Sequence, residues 1–428
     1  MVKIFTILAL LGSTFLLFSS PWVAGLSYAT VSIVQPQYVW FWAFDNIPVF
    51  RISAGLSIVA WLIKVAKGDI VASLYKEPIV WSVALLWVIF QLSQFASPYP
   101  EYTTGASTKV ILNTLDIVVL MFLILVGLLD NRKALFYLVV VLVLATLYYT
   151  WWSNYAYLTG DWSKFSRGRL NGPFKSPYRD GNVFSILFVI GMPFLIFGVI
   201  YVRQLWAKAI LLAAIPLVWH AVVLCASRGA LLSMAATTAA AALMIRSKSL
   251  NVLMFVSLAA FLVYQGGALT QRSMDTVDAA DQNEEQPINP RILSWQVGWD
   301  MVKAFPIFGV GPQRFKIASE TLYPGKSPHV AHNTFLNFSA NTGIFAGLIY
   351  LFFFRRSYQI YKLNKAMLKP DDRQATFINN AGSCALVGYF VGALFLDLIV
   401  FEPFYFTLIL ILLNHHILLR EQSENAST

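Results

Sequence analysis

The chain has 428 residues, of which 58% are hydrophobic and only 12% are charged. A soluble globular domain carries about 25% charged residues, so this composition excludes a water-soluble fold and indicates a chain solvated by lipid. The net charge of +10 would suggest nucleic acid binding in a soluble protein, but here the basic residues lie between apolar runs. Such residues anchor helices at anionic headgroups, so we expect the lipid bilayer, and no nucleic acid, as a partner.

Apolar runs long enough to cross a bilayer as helices recur along almost the whole chain. A crossing helix needs about 20 mostly apolar residues. The runs lie near 4–19, 22–35, 48–63, 78–96, 109–129, 134–152, 183–201, 207–226, 230–245, 252–266, 334–354, 380–399 and 404–419. The first resembles a signal peptide without a convincing cleavage site and the second is short, so we expect one of these two not to cross fully. The predicted fold class is all-α, a polytopic membrane helix bundle of about 12 spans.

Basic residues in the short loops predict which side of the membrane each loop faces, because cytoplasmic loops are enriched in Lys and Arg. One alternating set of loops contains Lys64, Lys67, Arg132, Lys133, Arg203, Lys208, Arg246, Lys248, Arg355, Arg356, Lys362, Lys365 and Arg420. This alternation places those loops in the cytoplasm. The segments that then face the periplasm are 97–108, 154–181, 227–229, 267–333 and 400–403.

Three parts are predicted from this pattern. An N-terminal transmembrane bundle covers 1–266 and includes the basic periplasmic loop 154–181. A large periplasmic loop covers 267–333, and C-terminal transmembrane helices with a cytoplasmic tail cover 334–428. The basic loop opposes the usual charge bias of membrane proteins, so we predict a functional role for it.

The large periplasmic loop carries the signals of an amphipathic helix lying over the bundle. Asn289 can cap this helix and Pro290 suits its first position. Its apolar face is predicted to contain Ile292, Trp295, Trp299 and Val302. The acidic stretch 275–285 could hold a divalent ion, but it lacks an apolar frame, so a solvated strip is favoured and no metal or cofactor is predicted.

Two arginines near the end of the basic loop could bind a phosphate or a sugar. Arg169 lies just before Gly172, and Arg179 lies just before the next span. A guanidinium fork matches the geometry of a phosphate. Asp180 and Asn182 are suited to cap the following helix, and for Asn182 simple capping is the favoured interpretation.

Two further arginines occupy unusual positions on the same predicted side. Arg228 lies between two spans that have almost no loop between them, so a charge there is costly unless it is paired or faces a wet cavity. The alternative is an arginine whose side chain extends to the headgroups and anchors a hairpin. Arg291 lies in the first turn of the predicted loop helix, where a cation opposes the helix dipole unless an anion binds there. The alternative is an ordinary exposed arginine.

A histidine pair, His329 and His332, lies immediately before the span that begins at Thr334. Two histidines three apart could bind a metal, but no third ligand is evident nearby, so a metal site is disfavoured. A single histidine is a suitable general base near neutral pH. An interfacial histidine beside a helix start is the alternative interpretation.

Several of these residues lie in a pattern that resembles the O-antigen ligase superfamily. The pattern consists of Ser227-Arg228-Gly229-Ala230, Arg291-x-x-x-Trp295, Pro306-x-x-Gly309-x-Gly311 and His332-Asn333. This superfamily includes O-antigen ligases, O-antigen polymerases and protein O-oligosaccharyltransferases. The first 130 residues are also similar to O-glycosylation ligases associated with exosortase systems.

The resemblance implies a GT-C-like enzyme of the bacterial inner membrane whose active site faces the periplasm. It would transfer a glycan from undecaprenyl diphosphate by a metal-independent, inverting reaction. His332 would be the base, and Arg228 and Arg291 would bind the diphosphate. The acceptor would be lipid A–core, or another saccharide or a protein.

The substrate-binding residues expected around this centre are Arg169, Arg179, Gly172, Asn333 and Trp295. Arg169 and Gly172 match a looser family element. The basic loop is longer and more aromatic than those of the lipopolysaccharide enzymes, which leaves the acceptor open.

Three hypotheses follow for the function. The first is the ligase, and the second is a polymerase or protein O-oligosaccharyltransferase that uses the same donor. The third is a flippase or permease without chemistry. Transporters place charges near the bilayer midplane, often at broken helices in repeated halves, whereas here the charges lie at the outer boundary and no repeat is visible.

Overall fold

The computed structural model describes residues 11–44, 47–245, 248–252, 254–257, 259, 290–324 and 330–427. Several features predicted from the sequence fall outside these residues. They are residues 4–10 of the first apolar run, most of the run 252–266, the acidic stretch 275–285, the capping residue Asn289, and His329.

Helices form almost all of the regular structure in the described part of the chain. The helices are α1 (Trp22–Val34), α2 (Pro36–Val39), α3 (Phe41–Phe44), α4 (Val49–Ala66), α5 (Pro78–Ala96), α6 (Thr108–Leu128), α7 (Arg132–Leu158), α8 (Gly181–Tyr201), α9 (Leu205–Leu224), α10 (Arg228–Met244), α11 (Pro290–Ala304), α12 (Phe315–Leu322), α13 (Thr334–Thr342), α14 (Ile344–Met367), α15 (Arg373–Ala393) and α16 (Glu402–Ser427). Two strands, β1 (Phe165–Ser166) and β2 (Arg169–Leu170), pair antiparallel as a small hairpin in the basic loop.

The chain is an all-α multi-pass membrane protein. Within the described residues, seven helices are long and apolar enough to cross a membrane, namely α4 to α9 and the part of α16 up to Asn425. A further helix, α10, is apolar but shorter, with 17 residues. The figure of about 12 spans remains a prediction.

Two predicted spans differ from the helices observed. The run 334–354 is not one helix, because it breaks at Gly343, whose φ of +99° is a conformation that other residues rarely adopt. The run 380–399 ends as a helix at Ala393 and continues as an irregular loop, 394–401. A continuous apolar run predicts burial in lipid or protein but does not show where the backbone changes direction.

The innermost helices are α8 and α16, whose side chains are mostly buried against other helices. Helix α8 packs against α15, α9 and α10, and α16 packs against α15 and α14. A single hydrophobic core contains residues from Leu17 to Ile417, so the N-terminal and C-terminal helices share it. This packing holds the loops at the two ends of the bundle in fixed relative positions.

Ion pairs join the loops at one end of the bundle. Lys64 Nζ lies 2.7 Å from Asp130 Oδ1. Arg132 Nη2 lies 2.6 Å from Asp372 Oδ2 and 2.5 Å from Glu421 Oε2, which ties α7 to α15 and α16. The loops in contact here are loops that the alternation of basic residues places on one common side.

The buried face of α11 agrees only in part with the face predicted from the sequence, since Val302 is buried and Trp295 packs against the same cluster. Ile292 and Trp299 are 48% and 46% exposed, whereas Leu293, Val297 and Met301 are buried. The prediction assumed one apolar stripe facing the bundle. Helix α11 packs through a mixed face that includes small residues. This face lies against α13 and against the irregular segment that follows α11.

The segment Pro306–Gly311 fixes the position of α13. Val310 N donates to Ala340 O at 2.9 Å, and Gly311 N donates to Asn341 O at 2.8 Å. Gly309 has a φ of +65°, and a Cβ at this position would collide with the backbone of Asn341. The glycines of this motif therefore permit a close backbone approach to the short helix that follows His332.

Replacing Gly309 by alanine is expected to destabilise the protein by about 2–4 kcal/mol, because the new methyl group meets backbone in a conformation already unfavourable for alanine. Thermal unfolding of the purified protein in detergent measures this loss. Gly55→Ala is the matched control, since a Cβ at Gly55 in α4 meets nothing within 4 Å. Equal unfolding temperatures for the two variants would contradict the packing role of Gly309.

Candidate active site

Three arginines from separate parts of the chain converge at one end of the bundle. They are Arg169 in β2, Arg228 at the start of α10 and Arg291 in the first turn of α11. Burial lowers the pKa of the Arg291 guanidinium, and the positive charges of Arg228 and Arg169 lower it further. Arg228 and Arg169 are therefore each close enough to Arg291 for their charges to act on it, and we call these three residues the arginine cluster.

Local backbone geometry directs Arg228 toward this cluster. Ala226 has a φ of +48°, and the Ser227 hydroxyl then accepts a hydrogen bond from Ala230 N at 3.3 Å as the cap of α10. Arg228 is exposed, and its guanidinium donates no hydrogen bond to any residue that the structure describes. The N-terminus of α10 also contributes a positive dipole, so the position suits an anion.

Hydrogen bonds hold the Arg169 side chain in place. Its Nε donates to Cys225 O at 3.3 Å, and its Nη2 donates to Asn182 Oδ1 at 2.6 Å. The interpretation of Asn182 as a simple cap was wrong, because the cap of α8 is Asp180, whose Oδ1 accepts from Asn182 N at 2.7 Å. The Asn182 side chain instead accepts the hydrogen bond from Arg169 and positions it.

His332 lies in the turn just before α13. Its φ is +46°, in the left-handed region that non-glycine residues rarely adopt and that is enriched at functional sites. Asn333 caps α13, since its Oδ1 accepts from Leu336 N at 3.0 Å, and its Nδ2 donates to Leu394 O at 3.2 Å. Asn333 therefore ties this turn both to α13 and to Leu394.

The loop 394–401 is the element that joins these pieces, and the apolar pattern of this region does not predict it. Thr334 Oγ1 donates to Leu396 O at 2.7 Å. The ring of Phe395 lies 6.4 Å from that of Trp295, and a Cβ on Gly229 would lie 3.0 Å from Phe395 Cβ. The starts of α10, α11 and α13 therefore all meet this one loop.

Asp397, in the same loop, faces the backbone of the histidine turn. Burial raises its pKa to about 6, and the backbone N–H groups of His332 and Asn333 and the side chain of Asn337 partly offset that effect. Its Oδ1 is buried and has no hydrogen-bond partner within the described residues. A lone acid in an apolar run was the only sequence signal for this residue.

Asp397 should make the protein less stable as pH rises from about 4 to 6, because the folded state keeps a proton that the unfolded state, with its usual pKa of 3.8, releases. The apparent unfolding temperature in detergent, measured across this pH range, tests the effect. Asp397→Asn should remove this part of the pH dependence. Parallel pH profiles for Asp397→Asn and the wild type would rule out the proposed titration.

The remaining predicted residues lie around this centre in different roles. Gly172 N donates to Tyr178 O at 3.1 Å, and a side chain at Gly172 would collide with the Tyr178 backbone, so this glycine closes the loop. Its contact with substrate stays a prediction. Arg179 is exposed, with its guanidinium 5.2 Å from the Phe174 ring centre. It therefore lies outside the arginine cluster.

A cavity of about 1280 Å³ adjoins the arginine cluster, and Arg169 and Asp397 both line it. Its walls come from the segments 35–51, 105–117, 166–183 and 397–402. The arrangement combines several cations, a histidine in the neighbouring turn and an adjoining space of this volume. Oxyanions and proton transfer are the chemistry that such groups serve.

Comparison with known families gives two matches. Residues 213–351 match the family model described as O-Antigen ligase, a region that contains Arg228, Arg291 and His332. Residues 1–160 match a family of unknown function (DUF5935). No curated protein matches the chain.

Proposed function

We propose that this chain, whose residues 213–351 match the O-antigen ligase family model, transfers a glycan from undecaprenyl diphosphate to an acceptor hydroxyl. One observation carries the proposal. Arg291 lies within electrostatic reach of Arg228 and Arg169 at the end of the bundle where the turn of His332 meets the loop 394–401. Like charges held together favour binding of a polyanion, and a diphosphate supplies one.

The proposed reaction is an inverting displacement at the anomeric carbon of the lipid-linked sugar. His332 takes the proton of the acceptor hydroxyl as its oxygen forms the new glycosidic bond. The bond between the anomeric carbon and the diphosphate oxygen breaks, and the diphosphate leaves with the electron pair. Arg169, Arg228 and Arg291 stabilise the negative charge that develops on the leaving diphosphate. In the proposed reaction they take the part that a metal ion plays in metal-dependent enzymes.

The proposed setting is the bacterial inner membrane, with the arginine cluster at the periplasmic side in a GT-C-like bundle. The opposite end carries the network of Lys64, Arg132 and their acidic partners, as the positive-inside rule expects of cytoplasmic loops. Lipid A–core is the proposed acceptor. A polymerase and a protein O-oligosaccharyltransferase share the same donor chemistry and differ only in the acceptor.

Transfer in vitro tests the proposal. Purified protein in detergent micelles is mixed with an undecaprenyl diphosphate glycan and lipid A–core, with EDTA present. We expect glycosylated lipid A–core, and a micelle has no two sides between which a flippase could act. If product forms only when a second glycan or a polypeptide replaces lipid A–core, the reaction stands and the acceptor is that molecule. Failure with every acceptor, or inhibition by EDTA, would overturn the proposed reaction.

A further inference from the structure

One exposed face of α6 carries polar side chains into the membrane. The exposed residues on this face are Lys109, Asn113, Asp116 and Leu120, which we call the α6 stripe. They follow one another at intervals of four, three and four residues, and this spacing places them on one side of a helix. Helix α6 is long and apolar enough to span the membrane, so the stripe borders lipid in a single copy of the chain.

Asp116 lies within the hydrocarbon of the membrane. It comes eight residues after Thr108, the first residue of α6, and a helix rises about 1.5 Å per residue, so it lies about 12 Å from that end. The hydrocarbon core of a bilayer is about 30 Å thick, which is close to the length of α6. An acid at this depth is costly unless a polar group pairs with it, and such residues usually face protein rather than lipid.

Helix α5 satisfies only one oxygen of the Asp116 carboxyl. Trp87 Nε1 donates to Asp116 Oδ1 at 2.7 Å, and Gln91 Nε2 donates to the same oxygen at 2.9 Å. Among the residues that the structure describes, none donates to Asp116 Oδ2, and none forms a hydrogen bond with the side chain of Asn113. Two polar groups of the stripe therefore have hydrogen-bonding capacity that one copy of the chain leaves unused.

The remainder of the same face is covered by protein. The spacing of the stripe continues to Leu123 and Gly127. Tyr75 Oη donates to Leu123 O at 3.1 Å, and a side chain at Gly127 would collide with Tyr75 and with the indole of Trp61. This face of α6 is thus a helix-packing face, and its half between Lys109 and Leu120 is the half left open.

A second copy of the chain is complementary to this open half. Two copies inserted in the same direction are related by a two-fold axis along the membrane normal, so each residue meets its counterpart at equal depth. An amide both donates and accepts, so the Asn113 side chains of two copies can pair with each other. The free oxygens of two Asp116 carboxyls can share one proton. Intervals of four and three residues are those of parallel helices that pack as a left-handed pair.

We propose that α6 is a dimerisation surface, on which the α6 of a second copy packs in parallel through Asn113 and Asp116. Lys109 lies at the membrane boundary, where its ammonium extends to the headgroups. The proposal does not depend on glycosyl transfer. Val110 and Ile117 of the same helix line the large cavity, so pairing brings the cavities of two copies to the two sides of one interface.

Disulfide cross-linking in liposomes tests this arrangement. Asn113→Cys adds a thiol to a chain whose own two cysteines, Cys225 and Cys384, are buried. Oxidation of the purified Asn113→Cys protein should give a covalent dimer. Leu217→Cys is the matched control, because Leu217 is 47% exposed in the outer half of α9, and it should remain monomeric.

The same variants also distinguish a second copy from another partner. An absent dimer in Asn113→Cys, or an equal amount of dimer in Leu217→Cys, would contradict the proposal. Oxidation in cell membranes should give a product of twice the mass of the chain. A product of any other mass would assign the α6 stripe to a different membrane protein and would overturn the proposal.

The association equilibrium in liposomes provides a second measurement. Energy transfer between labelled copies is followed as the ratio of protein to lipid is lowered. Asn113→Leu and Asp116→Leu should each weaken association about tenfold, through loss of an interhelical hydrogen bond. Thermal unfolding should be unchanged in Asn113→Leu, and Leu217→Ala should associate like the wild type. A wild type that is monomeric at every ratio, or unchanged association of Asn113→Leu, would refute the dimer.

Discussion

His332→Ala should lower the rate of glycan transfer by about 10²–10⁴-fold, the contribution typical of a positioned general base. The histidine is the one titratable group in the turn that the loop 394–401 holds beside the arginine cluster. Substrate binding should persist, because the cations that hold the diphosphate remain. Initial rates at saturating donor and acceptor measure the effect.

The backbone at His332 calls for a second variant. Its φ of +46° is unfavourable for alanine, so a loss of activity in His332→Ala could reflect strain in the turn. Asparagine tolerates this conformation and cannot act as a base at neutral pH, so His332→Asn should be stable and inactive. His416→Gln in α16 should remain active. An active His332→Asn enzyme would assign the base elsewhere.

Arg228→Gln and Arg291→Gln should each lower kcat by about 10²–10³-fold, because each removes a cation that stabilises the leaving diphosphate. Lysine at either position keeps the charge but loses the planar fork, so we expect only partial activity from Arg228→Lys and Arg291→Lys. Arg203→Gln, an exposed cation between α8 and α9, is the matched control and should retain full activity.

Stability without ligand provides an independent check on the arginine cluster. Burial and the positive charges of Arg228 and Arg169 destabilise the charged form of Arg291, so Arg291→Gln should relieve repulsion in the empty site. The unliganded variant should unfold at the same temperature as the wild type or a higher one. Undecaprenyl diphosphate should then raise the unfolding temperature of the wild type and not of the variant. Unfolding of the variant at a lower temperature, with ligand stabilisation intact, would make Arg291 a structural residue.

The class of fold and the charged groups of the site follow from the amino-acid sequence. Lipid leaves the backbone no partner except itself, so long apolar runs with few charges must form helices, and α4 to α9 lie close to the predicted runs. Cations at membrane boundaries are costly, so Arg228 stood out without any structure. The order of the motifs was enough to indicate the family, which the match over residues 213–351 confirms.

Other features depended on contacts between residues far apart in the chain. The break at Gly343, the buried face of α11 and the pairing of Asn182 with Arg169 all arise from neighbours that local pattern does not encode. Hydrophobic periodicity shows which residues avoid water. It does not show whether an apolar side chain faces lipid or another helix, because both surroundings are apolar.

The tertiary structure alone brought the arginine cluster and the histidine turn to the loop 394–401 and exposed the cavity beside them. Asp397 illustrates the reason. In the sequence it is a single acid within an apolar run, and only the packing of α13 against that loop sets it against the backbone of His332. Sequence supplies the charged groups, whereas their mutual repulsion, burial and shared partners exist only once the helices have packed.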